Sequence, residues 1–194
     1  MSNDKKITIQ IQDSIAVKQA IFEDQAIITS VGKISQKLIH ILKNHHTLFF
    51  AGNGGSFCDA LHLAAEFVNR FLIDRNPLPA IALGTNGSVL TSISNDYTFQ
   101  DVFSRELAAL GKKGDLFIAL STSGNSPNIL NAIKEANKIG IEVIGFTGKS
   151  GGSMQSLCDC LRVPSDDTPR IQEAHIMIGH IICQIVEEQL FSKD

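Results

Sequence analysis

Long apolar runs, basic clusters and paired-cysteine motifs are all missing from this 194-residue chain, and each absence removes a class of function. No apolar stretch reaches the ~18–20 residues that a membrane-crossing helix needs, so no membrane role is expected. Net charge is −3 and neither end is strongly basic. That argues against nucleic acid as a main ligand, because phosphate neutralisation needs clustered Lys and Arg. The four cysteines, Cys58, Cys158, Cys160 and Cys183, form no CxxC pair. Cys158-Asp159-Cys160 puts two of them on one face of an expected strand, where a small buried hydrophobe is the common role. The segment Met1–Gln12 is polar and charged, unlike a secretory signal. A cytosolic location is therefore the default expectation, and no disulfide is expected there. Internal repeats and low-complexity segments are also absent.

What is present is an alternation of short apolar runs with longer helical patterns. Residues 11–42 lack proline and read as a helical arm, with an expected break at Ser30-Val31-Gly32. Such an arm packs either on a neighbouring subunit or on its own sheet, and the pattern does not choose. Strands are expected at 47–51, 79–83, 115–120, 141–146 and 158–163. Helices are expected at 56–71, 88–110 with a break near Asn95, 127–139 ended by Gly140, and 168–191. This rhythm means βαβ units, a doubly wound parallel sheet of five strands and helices on both faces. Length favours one domain over 1–194, with an N-terminal helical arm at 1–45 and an α/β core at 46–194. Ligands of such sheets bind beyond the carboxyl ends of the strands.

Two turns fall there. Gly52-Asn53-Gly54-Gly55-Ser56 follows the first strand, and its glycines allow close approach of backbone to a ligand. It matches neither the dinucleotide fingerprint nor the nucleoside-triphosphate P-loop. Ser121-Thr122-Ser123-Gly124-Asn125-Ser126-Pro127 follows the third strand and carries four hydroxyls. Pro127 fits the first helical turn and Ser126 the N-cap. The free N–H groups and positive end of that helix suit an anion, and a monoester phosphate fits the hydroxyl chemistry.

Candidate acid–base or metal groups lie on helices. His62 and Glu66, spaced i, i+4, share one face and can bind zinc or divide proton transfers. Asp59 lies one turn earlier. The last helix carries Gln172, Glu173, His175 and His180 among many isoleucines, where a histidine is usually a packed core residue. Gln172 and His180 are ~12 Å apart along a helix. One metal can take both only if the helix starts irregularly or if the two come from different chains.

Together, GNGGS with His62 and Glu66, Asn95-Asp96, STSGNS, and Arg170-Ile-Gln-Glu-Ala-His175 with His180 resemble the sugar isomerase (SIS) domain family. The resemblance runs over nearly the whole chain and is nearest to the branch that acts on phosphorylated heptoses. It implies a single SIS domain in a homotetramer with active sites at subunit contacts. It also implies aldose–ketose isomerisation of a seven-carbon sugar phosphate through an enediol, feeding lipopolysaccharide or other surface heptose. By motif, Ser121, Thr122, Ser123 and Ser126 would bind phosphate. Asn53, Gly54, Gly55, Ser56, Asn95, Asp96 and Gln172 would hold the sugar. Glu66 would be the base and His180 the acid. Zinc, one per subunit, would take His62, Glu66, Gln172 and His180. Two positions depart from the pattern: Pro169 stands where some members carry an acid, with Asp166 or Asp167 nearby, and Phe57 replaces a polar residue. The rivals are an isomerase of another sugar phosphate and a non-catalytic paralogue that binds the replication initiator. That paralogue has GNGTS and lacks the histidine at 180.

Overall fold

Each central strand feeds alternate side chains into two separate apolar cores, as a period of two requires. In the computed structural model, which describes residues 1–192, the strands are β1 (Leu48–Ala51), β2 (Ala80–Ala82), β3 (Leu116–Leu120), β4 (Glu142–Thr147) and β5 (Asp159–Arg162). They form one parallel sheet in the order β2-β1-β3-β4-β5. Leu48 and Phe50 of β1 and Ile118 of β3 enter one core, while Phe49, Ala51 and Phe117 enter the other. Burial on both faces explains why the strands read as continuous apolar runs. Lys193 and Asp194, included in the domain expected from the sequence, lie outside the described residues.

The first core is covered by α2 (Gln25–Lys43), α3 (Gly55–Val68) and α7 (Thr168–Phe191), the second by α4 (Gly87–Asp96), α5 (Val102–Leu110) and α6 (Pro127–Ile139). Strand order reverses direction between β1 and β3. That switch point is where an open α/β sheet holds its ligand, and both candidate turns leave from it.

The arm differs from its expected form. It is helical from Asn3, as α1 (Asn3–Glu23), and breaks at Asp24 instead of Ser30–Gly32. The Asp24 carboxylate accepts hydrogen bonds from the N–H groups of Ala26 and Ile27, at 2.8 and 3.3 Å, and so starts α2. A local side-chain cap outweighs the roughly 1 kcal/mol that a glycine inside a helix costs. The two alternatives for the arm divide between its helices. α2 buries Val31, Ile34, Leu38, Ile39, Ile41 and Leu42 on the chain's own sheet. α1 leaves Ile7, Ile11 and Ile15 exposed at one-turn spacing, and Ser14 and Lys18 tie it to Glu173 of α7.

A buried ion pair locks the loop after α3. The Glu187 carboxylate on α7 accepts from the N–H groups of Phe71, Leu72 and Ile73 and from Arg75 Nε at 2.6–2.9 Å. Arg75 in turn donates to the carbonyls of Glu66 and Phe67 at the end of α3, both at 2.8 Å. Both side chains are 2% exposed. Burial alone would push the Glu187 pKa up, but these donors outweigh it and hold the carboxyl below its ordinary range. Removing one partner strands the other as an uncompensated charge. Glu187→Ala is therefore expected to lower unfolding free energy by about 3–5 kcal/mol, measured by urea denaturation; a loss below about 1 kcal/mol would show that the pair is not structural.

Candidate active site

The β1–α3 turn is built on glycine. Gly54 has φ 55°, and a Cβ on Gly52 would stand 2.3 Å from the Ser56 carbonyl oxygen. Ser56 is buried in the first turn of α3. Asn53 is joined to Asn128 of α6 by two reciprocal amide hydrogen bonds of 2.9 and 2.8 Å. This pair stitches the two switch-point turns together. Asn128 escaped the sequence reading, since one more asparagine in a helix carries no signal of its own. The pairing uses half of the Asn53 amide and leaves one donor and one acceptor site free for a ligand.

The β3–α6 turn departs from the expected cap. Ser126 has the extended backbone of an N-cap, but its hydroxyl makes no capping bond. It lies 3.0 Å from the Ser121 hydroxyl instead. In the first turn of α6, Pro127 has no N–H and the Ile129 N–H donates to Asn128 Oδ1 at 3.0 Å, which leaves the Asn128 N–H without a side-chain acceptor and open to an anion at the helix start. Thr122 and Ser123 line a cavity of about 260 Å³ together with Gly148, Asp166 and Thr168. The start of α7, whose N-cap Asp167 also makes no side-chain cap, meets the hydroxyl turn at this cavity. Of the two nearby acids, Asp166 is the one that lines it.

α3 and α7 run side by side in the same direction and approach closely. A Cβ on Gly179 would stand 2.5 Å from Leu63, and one on Gly55 would stand 2.6 Å from the Gln172 amide. Gln172 therefore lies over the β1–α3 turn, and any side chain at position 55, such as the Thr of a GNGTS form, would displace it. One to two turns further along, His62 Nε2 lies 2.9 Å from Glu66 Oε1 and 3.3 Å from His180 Nε2. His180 is also flanked by Phe71, with ring centroids 5.6 Å apart.

The donor atoms of His62, Glu66 and His180 fall within 4.8 Å of one another. Two nitrogens on a tetrahedral zinc, each with a bond of ~2.0–2.1 Å, stand about 3.3 Å apart, which is the His62–His180 separation. The group fits zinc in donor chemistry and spacing. Gln172 of the same chain does not join it: α7 is regular from Thr168, and the Gln172 amide sits at Gly55, roughly 10 Å of helix from His62. Of the two arrangements open from the sequence, the irregular helix start is removed. Asn95 and Asp96 are exposed at the end of α4 and hydrogen-bonded to each other at 2.8 Å; no hydrogen bond among the described residues links them to either turn. His175 is a core residue. It packs on Phe146, and burial lowers its pKa to about 4.

The amino acids of the chain match the SIS domain family model over residues 11–148. The chain is 52% identical to the phosphoheptose isomerase of Clostridium acetobutylicum, covering 96% of each. It is 50% identical to that of Aneurinibacillus thermoaerophilus, over 95% of this chain and 94% of the relative. The solved phosphoheptose isomerase of Francisella tularensis superposes with a TM-score of 0.92 at 34% identity, over 97% of this chain and all of that one (100%).

Asp59, one turn before His62, is the least expected member of the neighbourhood. Its Oδ2 is buried with no hydrogen-bond partner among the described residues. Burial raises its pKa from 3.8 to about 6, against the pull of His62. The folded chain thus holds this proton more tightly than the unfolded chain, so stability falls as pH rises from about 4 through 6. In chelator-treated protein, Asp59→Asn is expected to raise Tm at pH 8 and leave it unchanged near pH 4; equal Tm at pH 8 would refute the buried-charge account.

Proposed function

The chain belongs to the SIS-domain family, among the phosphoheptose isomerases, and from that premise we propose that it interconverts sedoheptulose 7-phosphate and D-glycero-D-manno-heptose 7-phosphate. The observation that carries the reading is the convergence of His180 on the His62–Glu66 pair, which puts an acid, a base and metal donors in one place. In the forward direction Glu66 removes a proton from C1 while His180 protonates the C2 carbonyl oxygen, which forms an enediol. Glu66 then returns its proton to C2 and His180 takes the proton of the C1 hydroxyl. Glu66 and His180 alternate between acid and base, so no proton is lost. The phosphate sits against Ser121, Thr122, Ser123 and Ser126 at the start of α6. Asn53, Gly54, Gly55, Ser56, Asn95, Asp96 and Gln172 hold the sugar.

Zinc would be held by His62, Glu66 and His180 and would supply polarisation of a carbonyl oxygen; it would occupy the same groups that are assigned as base and acid. Gln172, as a fourth ligand, comes from another subunit. The same geometry supports active sites shared between chains. Ile171 lines the hydroxyl-turn cavity, and His180 follows it by about 13 Å of helix. The Gln172 amide, held at Gly55 away from the His62–Glu66–His180 group, supports a contribution from a second chain. The exposed Ile7, Ile11 and Ile15 face of α1 supports burial against another copy, as a homotetramer would provide. No helix among the described residues is long and apolar enough to cross a membrane. That fits a cytoplasmic enzyme supplying heptose for lipopolysaccharide core or another surface polysaccharide. Gly55 and His180 favour this over a non-catalytic initiator-binding module.

Incubation with sedoheptulose 7-phosphate is expected to yield the aldose. Glu66→Gln should lower kcat by at least roughly a hundredfold with the circular dichroism spectrum unchanged; near-normal turnover would remove Glu66 from the chemistry. Elemental analysis of protein purified without chelators should find about one zinc per chain, lost in His62→Ala. Metal-free wild-type protein would overturn the zinc assignment while leaving the acid–base pair to be judged by the first assay.

A further inference from the structure

Cys158 and Cys160, expected as small buried hydrophobes, differ from Cys183 in the folded chain. Cys183 is buried, whereas Cys158 and Cys160 are both partly exposed. Their sulfurs lie 4.0 Å apart. Cys158 lies in the bend just before β5, which starts at Asp159 and not at residue 158 as expected, and Cys160 is inside it; β5 is the edge strand of the sheet, paired on one side only. Cys160 is in register with Gly145 of β4. The absence of a side chain at Gly145 makes room for sulfur: a Cβ there would stand 2.9 Å from Cys160 Sγ and 2.4 Å from Met154 Sδ. The Cys158 thiol also lies against the Met154 carbonyl.

We propose that Cys158 and Cys160 form a redox-active dithiol that closes to a reversible disulfide when it meets a low-molecular-weight disulfide. The two thiols are not equivalent. The hydrogen bond from Cys158 pulls the Cys160 thiol below its ordinary pKa, and Arg162 adds to this against burial. The same hydrogen bond and burial push Cys158 up. Cys160 is therefore the attacking thiolate. Its sulfur bonds to one sulfur of the small disulfide and expels the other as a thiolate. Cys158 then loses its proton, attacks Cys160 Sγ and expels the second small thiolate. The protein loses two protons and two electrons, and the small disulfide becomes two thiols.

Cys158 lies in the bend just before β5 and Cys160 is the second residue of the strand, and their sulfurs must close from 4.0 Å to the ~2.05 Å of a disulfide. A bridge between residues two apart is strained, and strained disulfides are the readily reduced, reversible ones. The dithiol lies at the edge strand β5, three strands from β1 in the sheet order, whereas His62, Glu66 and His180 lie on the α3–α7 seam, so none of the groups proposed for proton transfer takes part in it.

The test uses the full reduced chain in a Cys58→Ser background, treated with oxidised glutathione at neutral pH, quenched in acid and alkylated. The tryptic peptide Ser150–Arg162 should lose the mass of two hydrogens, carry no alkyl group, and recover both thiols under reduced glutathione. Cys158→Ser should stop at a stable glutathione adduct on Cys160, formed at least roughly tenfold faster than any adduct on Cys158 in Cys160→Ser. A peptide recovered with two alkylated thiols, or with glutathione on both, overturns the proposal. Equal rates in the two variants overturn the assigned order of attack.

Discussion

The close passage of α3 along α7 is the constraint on which the candidate site depends. Two glycines permit it, Gly55 at one end and Gly179 further along, each with a neighbouring side chain where a Cβ would otherwise be. Gly179 costs its helix about 1 kcal/mol of propensity and returns a contact in which Leu63 reaches the α7 backbone. Only at that separation can His180 touch His62 and Glu66. The far end of the same contact is held by Arg75 and Glu187, with Arg75 donating to the Glu66 and Phe67 carbonyls in the last turn of α3. The groups proposed for chemistry thus lie between a glycine-mediated approach and a buried ion pair, on two regular helices, so their positions follow from the core.

The same rigidity separates the two halves of the site within one chain. The hydroxyl turn and the Gln172 amide belong to the starts of α6 and α7, beside the sheet's switch point. The His62–Glu66–His180 group sits well down the α3–α7 seam. Because α7 is a continuous helix from Thr168 to Phe191, no local adjustment brings these ends together.

Much of the fold was legible from residues. The five strands read as apolar runs because both faces are buried, and α6 ran from Pro127 to a left-handed Gly140 as written. Where the reading slipped, a tertiary or side-chain effect outweighed composition. Asp24 broke the arm by capping α2, while Gly32 stayed inside the helix. Ser126 matched the pattern of an N-cap, yet its hydroxyl turned to Ser121. Arg75, Glu187 and Asn128 gave no signal, because a buried ion pair and an amide pair are defined by partners 112 and 75 residues away.

The amino-acid sequence by itself determined the element order, the parallel sheet, the two ligand-facing turns and the i, i+4 pair on α3, since each rests on spacing along the chain. Only the tertiary structure decided that His180 joins that pair, that Gln172 of the same chain does not, and that Gly55 exists to let the Gln172 amide lie over its turn. Those are distances between helices. They depend on where a Cβ is missing and what fills the space, and no periodicity within one segment encodes them.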